Sequence, residues 1–130
     1  MISWKEEYSV GVEFIDKQHK KLFEIADRAY ELLKNDIYID KYDKIIEIIE
    51  ELKNYAVFHF NAEEAYMERI GYKRLLSHKV EHNDFIEKVK HIDLEEVDED
   101  QDRYITDILD FIVNWISNHI LKTDKKYANI

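Results

Sequence analysis

Histidine and glutamate side chains recur four residues apart at two places in this 130-residue sequence. His59 is followed by Glu63, and His78 is followed by His82. Residues four positions apart lie on the same face of an α-helix, with Cβ atoms about 5–6 Å apart, so each pair could grip one metal ion from two sides. If both segments are helical, this spacing predicts two metal-binding pairs.

The second pair also belongs to a string that matches a catalytic motif. Residues 78–82 read HKVEH, which fits the H-x-x-E-H pattern of a class of zinc peptidases with two metal-binding histidines and a catalytic glutamate. Glu81, however, lies about 100° round the helix from His82, off the face that carries both histidines. We therefore expect Glu81 to be a solvated acid, and we expect no peptidase activity.

Composition limits the kind of site and the class of partner. The chain has no cysteine, so any metal must be held by nitrogen and oxygen atoms. A formal net charge of -10 disfavours binding to nucleic acid, which depends on neutralising phosphates with Lys and Arg, and to anionic lipid. No secretory signal and no run of ~18 apolar residues is found, so we expect no membrane partner and a cytoplasmic location.

Long helices must position the metal-binding pairs. There is no proline, and Gly11 and Gly71 are the only glycines, so residues that break regular structure are rare. Apolar residues recur at steps of three and four in four stretches, which predicts four helices. Their expected bounds are Asp16, as N-cap, to Leu33; Asp40 to Ile70, with Gly71 as the C-terminal cap; Leu75 to Ile92; and Ile105 to about Lys122.

The predicted fold is all-α, an antiparallel up-down-up-down four-helix bundle, because helices of this length are joined by short links. Residues 1–15 contain apolar side chains around Gly11 and are expected to form an extended N-terminal arm that packs along the bundle. The whole chain, 1–130, is expected to be a single domain, with the bundle at about 16–124.

Five of the six histidines fall on the apolar face of their predicted helix, where a bundle ordinarily places Leu or Ile. Glu63 shares such a face, and burying an unpaired charge is far more costly than burying a hydroxyl or an amide. A shared cation would remove these costs together. His91 has charged neighbours and is expected at the surface. The inward-facing histidines are His19, His59, His78, His82 and His119.

Asp124 lies five residues after His119, which would place it well round a regular helix from that histidine. We infer that the fourth helix ends or distorts near Lys122, so that Asp124 turns inward. Asp124 then becomes a second buried carboxylate beside Glu63.

The complete pattern resembles a known family. His19, the pair His59 and Glu63, the pair His78 and His82, and His119 followed by Asp124 occur in the order found in the hemerythrins, in particular in single-domain bacterial hemerythrin-like proteins. The arm WKEEYSVGVEFIDKQH and the segment WISNHILKTDKKY resemble the same family. The resemblance extends from Trp4 to about Tyr127.

The resemblance implies reversible O2 binding at a non-haem di-iron centre, as in an oxygen carrier, store or supply protein, with no catalytic residue. His78, His82 and His119 would bind one iron, and His19 and His59 the other. Glu63 and Asp124 would bridge both irons together with an oxo or hydroxo group. The second iron then keeps one open position for O2. Three residues are expected to line the O2 pocket: Trp115, Ile116 and Ile120.

Other functions remain open at this point. A di-iron oxidase or peroxidase, or an iron-oxidising store, would be expected to use Glu-x-x-His pairs as in ferritin-like sites, and no histidine here has a glutamate three residues before it. A sensor or scavenger of O2, nitric oxide or iron would act through a protein partner that the sequence does not identify. Zinc accepts these ligand types, but seven ligands exceed one tetrahedral site. A purely structural bundle would leave the buried imidazoles and Glu63 unexplained.

Overall fold

The computed structural model describes residues 4–34, 41–90 and 101–128. The expectations for His91, for the start of the second helix at Asp40 and for the end of the third at Ile92 lie outside this part of the chain. The described residues form a short 3₁₀ turn, four long helices, a π-helical turn and a final short helix. Their bounds are Glu6–Tyr8 for the 3₁₀ turn, Glu13–Leu33 (α1), Lys41–Arg69 (α2), Leu75–Lys90 (α3), Gln101–His119 (α4), Ile120–Asp124 for the π-turn and Lys125–Ala128 (α5).

The four long helices form an antiparallel bundle, which confirms the predicted all-α fold. Helix α1 packs against α2 and α4, and α2 packs against α3. Helix α3 meets α4 through the ring of Phe85, which contacts Phe111 and Trp115. Among the described residues, no helix combines the length and apolar character that crossing a membrane requires.

The N-terminal arm packs on its own bundle. The ring of Tyr8 lies 5.0 Å from that of Phe23 in α1, and the Lys20 ammonium lies 4.4 Å from the centre of the Trp4 ring. These contacts attach the arm to α1 on both sides of residues 5–7.

The prediction that Asp16 is the N-cap of the first helix is wrong. Helix α1 begins at Glu13, so Asp16 lies within its first turn. Its carboxylate accepts hydrogen bonds from the Val10 amide at 2.9 Å and the Ser9 hydroxyl at 2.7 Å. Asp16 therefore stabilises the arm, which turns at Gly11 with a φ of 77°, a left-handed conformation that glycine adopts without strain.

The end of α2 follows the prediction. Gly71 adopts a φ of 70°, the Tyr72 amide donates to the Met67 carbonyl, and the Gly71 amide donates to the Glu68 carbonyl. This pair of hydrogen bonds is the Schellman motif, in which a left-handed residue ends a helix and satisfies its last carbonyls. The cap turns the chain from α2 into α3, which carries the second predicted metal-binding pair.

Buried hydrophobic side chains form two clusters with a polar layer between them. The larger cluster contains side chains from all four long helices, and the smaller consists of Val10, Ile15, Met67 and Tyr127. Along α1, His19 lies between Ile15 of the smaller cluster and Leu22 of the larger cluster. Along α2, Glu63 lies between Phe60 of the larger cluster and Met67. The polar layer is therefore enclosed by apolar side chains at both ends.

Candidate metal centre

Seven metal-ligating side chains meet in this polar layer. All are buried, with exposed fractions from 0% to 7%. Helix α1 contributes one, α2 and α3 contribute two each, α4 contributes one, and the π-turn contributes the last. They are His19, His59, Glu63, His78, His82, His119 and Asp124.

The seven side chains divide into two sets that share both carboxylates. Within each set, one ligand atom per residue lies within 4.8 Å of all the others. The three-histidine set contains His78, His82 and His119, and the two-histidine set contains His19 and His59. Glu63 and Asp124 belong to both.

Glu63 points one oxygen at each set. Its Oε1 lies 3.0 Å from Nε2 of His78 and 3.0 Å from Nε2 of His82. Its Oε2 lies 3.4 Å from Nε2 of His59 and 3.6 Å from Nε2 of His19. The carboxylate is therefore placed to connect the two sets.

Asp124 is divided in the same way. Its Oδ1 lies 2.8 Å from Nε2 of His78 and 3.0 Å from Nε2 of His119, while its Oδ2 lies 3.3 Å from Nε2 of His19. The π-turn makes this possible, because its wider turn puts a residue five positions after His119 back on the inner face. The expected distortion near Lys122 is confirmed: it begins at Ile120 and includes Lys122, and the chain returns to α-helix at Lys125.

The distances between the ligand atoms, and the lack of other hydrogen-bond partners at several of them, both fit a metal site. At metal–donor distances of about 2.1 Å, neighbouring donors of an octahedral ion lie about 3.0 Å apart. In the three-histidine set, Nε2 of His119 lies 3.0 Å from that of His78 and 3.1 Å from that of His82. No described residue forms a hydrogen bond with Nε2 of His19, Oε1 of Glu63 or either oxygen of Asp124. These lone pairs converge on shared points, as a cation requires.

Three of the five imidazole rings are held in position by a partner at Nδ1, the nitrogen that does not face the other ligands. The Nδ1–H of His59 donates to Gln18 at 2.7 Å, that of His82 donates to Glu64 at 2.8 Å, and Nδ1 of His119 lies 3.4 Å from Glu81. Such partners fix the tautomer so that Nε2 remains free to bind metal, and they raise its basicity.

Aromatic side chains enclose the three-histidine set. Phe60 stacks on His82 at 3.9 Å, and Trp115 stacks on His119 at 4.5 Å. Tyr127, which is buried, donates a hydrogen bond of 3.0 Å to Oε2 of Glu63. These groups hold the ligands in place and keep solvent away from them.

Two histidines of the metal-free cluster are charged beside the two carboxylates. Burial lowers the pKa of His19 and His78, but the Asp124 and Glu63 carboxylates raise it to about 9 in each. Burial opposes ionisation of Glu63, yet the surrounding His59, His19 and His78 rings hold its pKa well below the usual range. Two imidazolium ions thus face two carboxylates, and a metal ion that binds Nε2 must displace the protons.

Metal uptake by the metal-free protein is therefore expected to release protons in a pH-dependent manner. At pH 7, below the pKa of about 9, His19 and His78 are protonated. Loading should release about two more protons per chain at pH 7 than at pH 10, and affinity should rise over that interval. Anaerobic titration with ferrous iron in weakly buffered solution measures the release directly. Equal release at both pH values would contradict these protonation states.

The seven ligand positions expected from sequence all come together, whereas the proposed pocket residues occupy different surroundings. Ile116 and Ile120 are buried in the larger cluster, and Trp115 lies beside the three-histidine set. Glu81 is exposed as expected, but its contacts with His119 and with the Thr123 hydroxyl at 3.3 Å show that it is more than a solvated acid.

Sequence reasoning missed the residues that support the ligands. These are Gln18, Glu64, Glu81 and Tyr127. The first three each stand directly beside a ligand in the sequence, but on another helix face, and their contacts are made across the bundle. A polar residue directly beside a candidate ligand, as at Gln18, Glu64 and Glu81, was the available signal.

Comparisons with known proteins agree with this site. Residues 10–130 match the family described as Hemerythrin HHE cation binding domain. The bacteriohemerythrin of Clostridium acetobutylicum is 56% identical over 129 residues, covering 99% of this chain and 100% of that protein. That of Methylococcus capsulatus is 29% identical, covering 98% and 95%. A crystal structure of wild-type hemerythrin superposes with a TM-score of 0.77 at 26% identity, covering 99% of this chain and 96% of that one.

Proposed function

Since the chain belongs to the hemerythrin family, we propose that it binds O2 reversibly at a centre of two iron ions held by the seven buried side chains. Family membership implies iron as the metal, and the cluster offers only nitrogen and oxygen donors, a combination that suits iron. The proposed ligands are His78, His82 and His119 for one iron, His19 and His59 for the other, and Glu63 and Asp124 for both.

The division of the carboxylate oxygens carries the proposal. Oε1 of Glu63 faces the three-histidine set and Oε2 faces the two-histidine set, and the oxygens of Asp124 divide likewise. If the two carboxylates bound a single ion, or only balanced the charge of imidazolium groups, neither would need to direct its two oxygens at different sets of histidines. Two bridging carboxylates favour a pair of adjacent ions.

Unequal numbers of histidines favour ligand binding over a structural role. With three histidines, two carboxylate oxygens and a solvent-derived bridge, one iron has six ligands. With two histidines and the same three shared ligands, the other iron has five. An open position is what distinguishes a reactive metal site from a closed structural one. Two iron ions held by these residues would supply the redox chemistry that reversible O2 binding requires.

The chain's own residues would keep this binding reversible. His19 and His59 are 0% and 2% exposed, so bulk water does not reach the two-histidine set freely. An apolar shell controls solvent access and redox behaviour at a metal. Ile116 and Ile120 remain our proposed lining of the O2 pocket, and Trp115, which stacks on His119 of the three-histidine set, would border it from the side of the other iron.

A cycle of oxygenation and deoxygenation tests the proposal. The iron-loaded protein is reduced without oxygen, exposed to O2 and then evacuated, and its visible spectrum is recorded throughout. We expect a charge-transfer band that appears with O2 and disappears under vacuum over repeated cycles. Oxidation that cannot be reversed by evacuation, or continuous consumption of O2 and a reductant, would instead indicate a di-iron oxidase or peroxidase.

A further inference from the structure

Two ligands of the proposed metal centre, His19 and His78, lack an outer partner on Nδ1 in the part of the chain that the structure describes, and of these His78 borders a cleft. Among the described residues, none forms a hydrogen bond with Nδ1 of His78, which is buried. The neighbouring ligands His82 and His119 both have carboxylates at this position. With Nε2 bound to metal, the ring carries its proton on Nδ1, and a buried donor without an acceptor is costly. The structure therefore calls for an acceptor beside this nitrogen.

The His78 ring forms part of the wall of a surface cleft with a volume of about 140 Å³. Its Nε2 faces Glu63 and Asp124 in the interior. Nδ1, on the other side of the ring, is itself buried, so an oxyanion reaches it only when side chains of the cleft wall move aside. The cleft is formed where the start of α3 meets the π-turn and α5. Its other lining residues are Tyr72, Arg74, Ser77, Glu81, Thr123 and Lys126.

Cations and hydroxyl donors dominate this lining. Arg74 and Lys126 are exposed, and within the described parts of the chain neither forms an ion pair with a carboxylate. Ser77 adds a hydroxyl group, whereas the Thr123 hydroxyl already donates to Glu81. Glu81 is the one acid of the lining, and its other oxygen faces Nδ1 of His119. The two cations therefore exceed the acids in this lining, in a chain of net charge -10.

We propose that this cleft binds a small oxyanion of the phosphate class, which pairs with Arg74 and Lys126 and accepts a hydrogen bond from Nδ1 of His78. An arginine guanidinium binds phosphate through parallel charge-assisted hydrogen bonds, and lysine adds a point charge. The oxyanion would supply to His78 what Glu64 supplies to His82. The cleft is formed by the chain itself, so binding does not require metal.

Occupancy of the cleft should be communicated to the metal. An acceptor on the outer nitrogen of a ligating histidine raises the basicity of the inner nitrogen. A bound oxyanion would thus strengthen donation from His78 to the three-histidine iron and favour its ferric state. This coupling, unlike the binding, rests on the proposed di-iron function.

Inorganic phosphate is the probe. Its binding is measured by equilibrium dialysis at constant ionic strength, with both metal-free and iron-loaded protein. We expect one phosphate per chain in both forms, and about tenfold weaker binding after Arg74→Gln or Lys126→Gln, since each removes one charge-assisted contact. Lys122→Gln is the matched control: it removes the same charge from the adjacent π-turn, but Lys122 does not line this cleft, and affinity should not change.

The effect of the bound oxyanion on the metal is measured separately, by visible spectroscopy. Phosphate should shift the charge-transfer absorption of the ferric protein, and the shift should disappear in Arg74→Gln, which leaves every proposed ligand intact. Azide, which coordinates metal directly, is added in parallel to fill the open position, and phosphate binding should persist.

Three results would overturn the oxyanion site. The first is that phosphate at about 10 mM binds neither form of the protein. The second is that Lys122→Gln weakens phosphate binding as much as Arg74→Gln does. The third is that azide displaces phosphate while Arg74→Gln keeps its full affinity for phosphate. The first would mean that water fills the cleft, the second that attraction is general, and the third that phosphate binds the metal. Failure to load iron would count against the metal centre alone, because binding to metal-free protein decides the cleft separately.

Discussion

Protein carrying Glu63→Gln is expected to emerge from iron loading and desalting with almost no iron, although its helical content is unchanged. Both ligand sets share this carboxylate, with Oε1 and Oε2 each within 3.0–3.6 Å of two imidazole nitrogens. Glutamine keeps the shape but loses the charge, and it presents an NH2 group to one set. Outer partners of metal ligands alone are worth about 10–100-fold in affinity, so loss of a bridging ligand should exceed about 100-fold.

Two variants on the same helix make this experiment specific. Glu68→Gln removes the same charge at an exposed position one turn beyond the site, and it should retain the iron content of the unmodified protein. Glu64→Gln removes the acceptor for His82 and should weaken binding by about 10–100-fold without abolishing it. Iron per chain is measured by elemental analysis and helicity by circular dichroism. Full iron content in Glu63→Gln would rule out the shared-carboxylate arrangement.

Removing the metal should lower the melting temperature by about 15 °C. The metal-free polar layer holds two carboxylates and five imidazoles away from water, and a buried charge network stabilises a fold only when its members are fully paired. A metal at about 1,000 times its dissociation constant stabilises the folded state by about 4 kcal/mol. In a chain of this length, 1 kcal/mol corresponds to about 4 °C.

Thermal unfolding followed by circular dichroism, with iron-loaded and chelator-treated samples, measures this difference. The variants described above serve again as controls. Glu68→Gln should show the full difference between loaded and metal-free samples, whereas Glu63→Gln should show almost none because it retains no metal. A metal-free protein as stable as the loaded one would indicate that the buried groups satisfy each other without a cation.

The positions of the ligands could be predicted because helical periodicity reports which side chains face the interior. His59 with Glu63, and His78 with His82, are each set by local geometry alone. Asp124 required an additional step, since a regular helix would have turned it away from His119. The distortion could be inferred from that conflict, but its start at Ile120 could not, because residues 120–124 contain neither proline nor glycine.

Residues whose roles depend on contacts between helices escaped prediction. Asp16 has the residue type of an N-cap, but hydrogen bonds from Ser9 and Val10 give it a different role. Glu81 was expected to be solvated because it lies off the face that carries the histidines, whereas its contacts come from α4 and the π-turn. Tyr127 reads as part of a polar tail, yet it is 2% exposed and reaches the carboxylate of Glu63. Periodicity within one helix carries no information about such partners.

The polar layer between the two hydrophobic clusters has a consequence for the cooperativity of folding. Apolar packing ordinarily continues without interruption through a small bundle, and this continuity makes a chain unfold in one step. Here the seven buried candidate ligands lie between the larger and smaller clusters. Bound metal would therefore join the two clusters into one folding unit. Without metal, the arm and the end of the chain that hold the smaller cluster can open while the larger cluster persists, as partial unfolding of the least stable segments predicts.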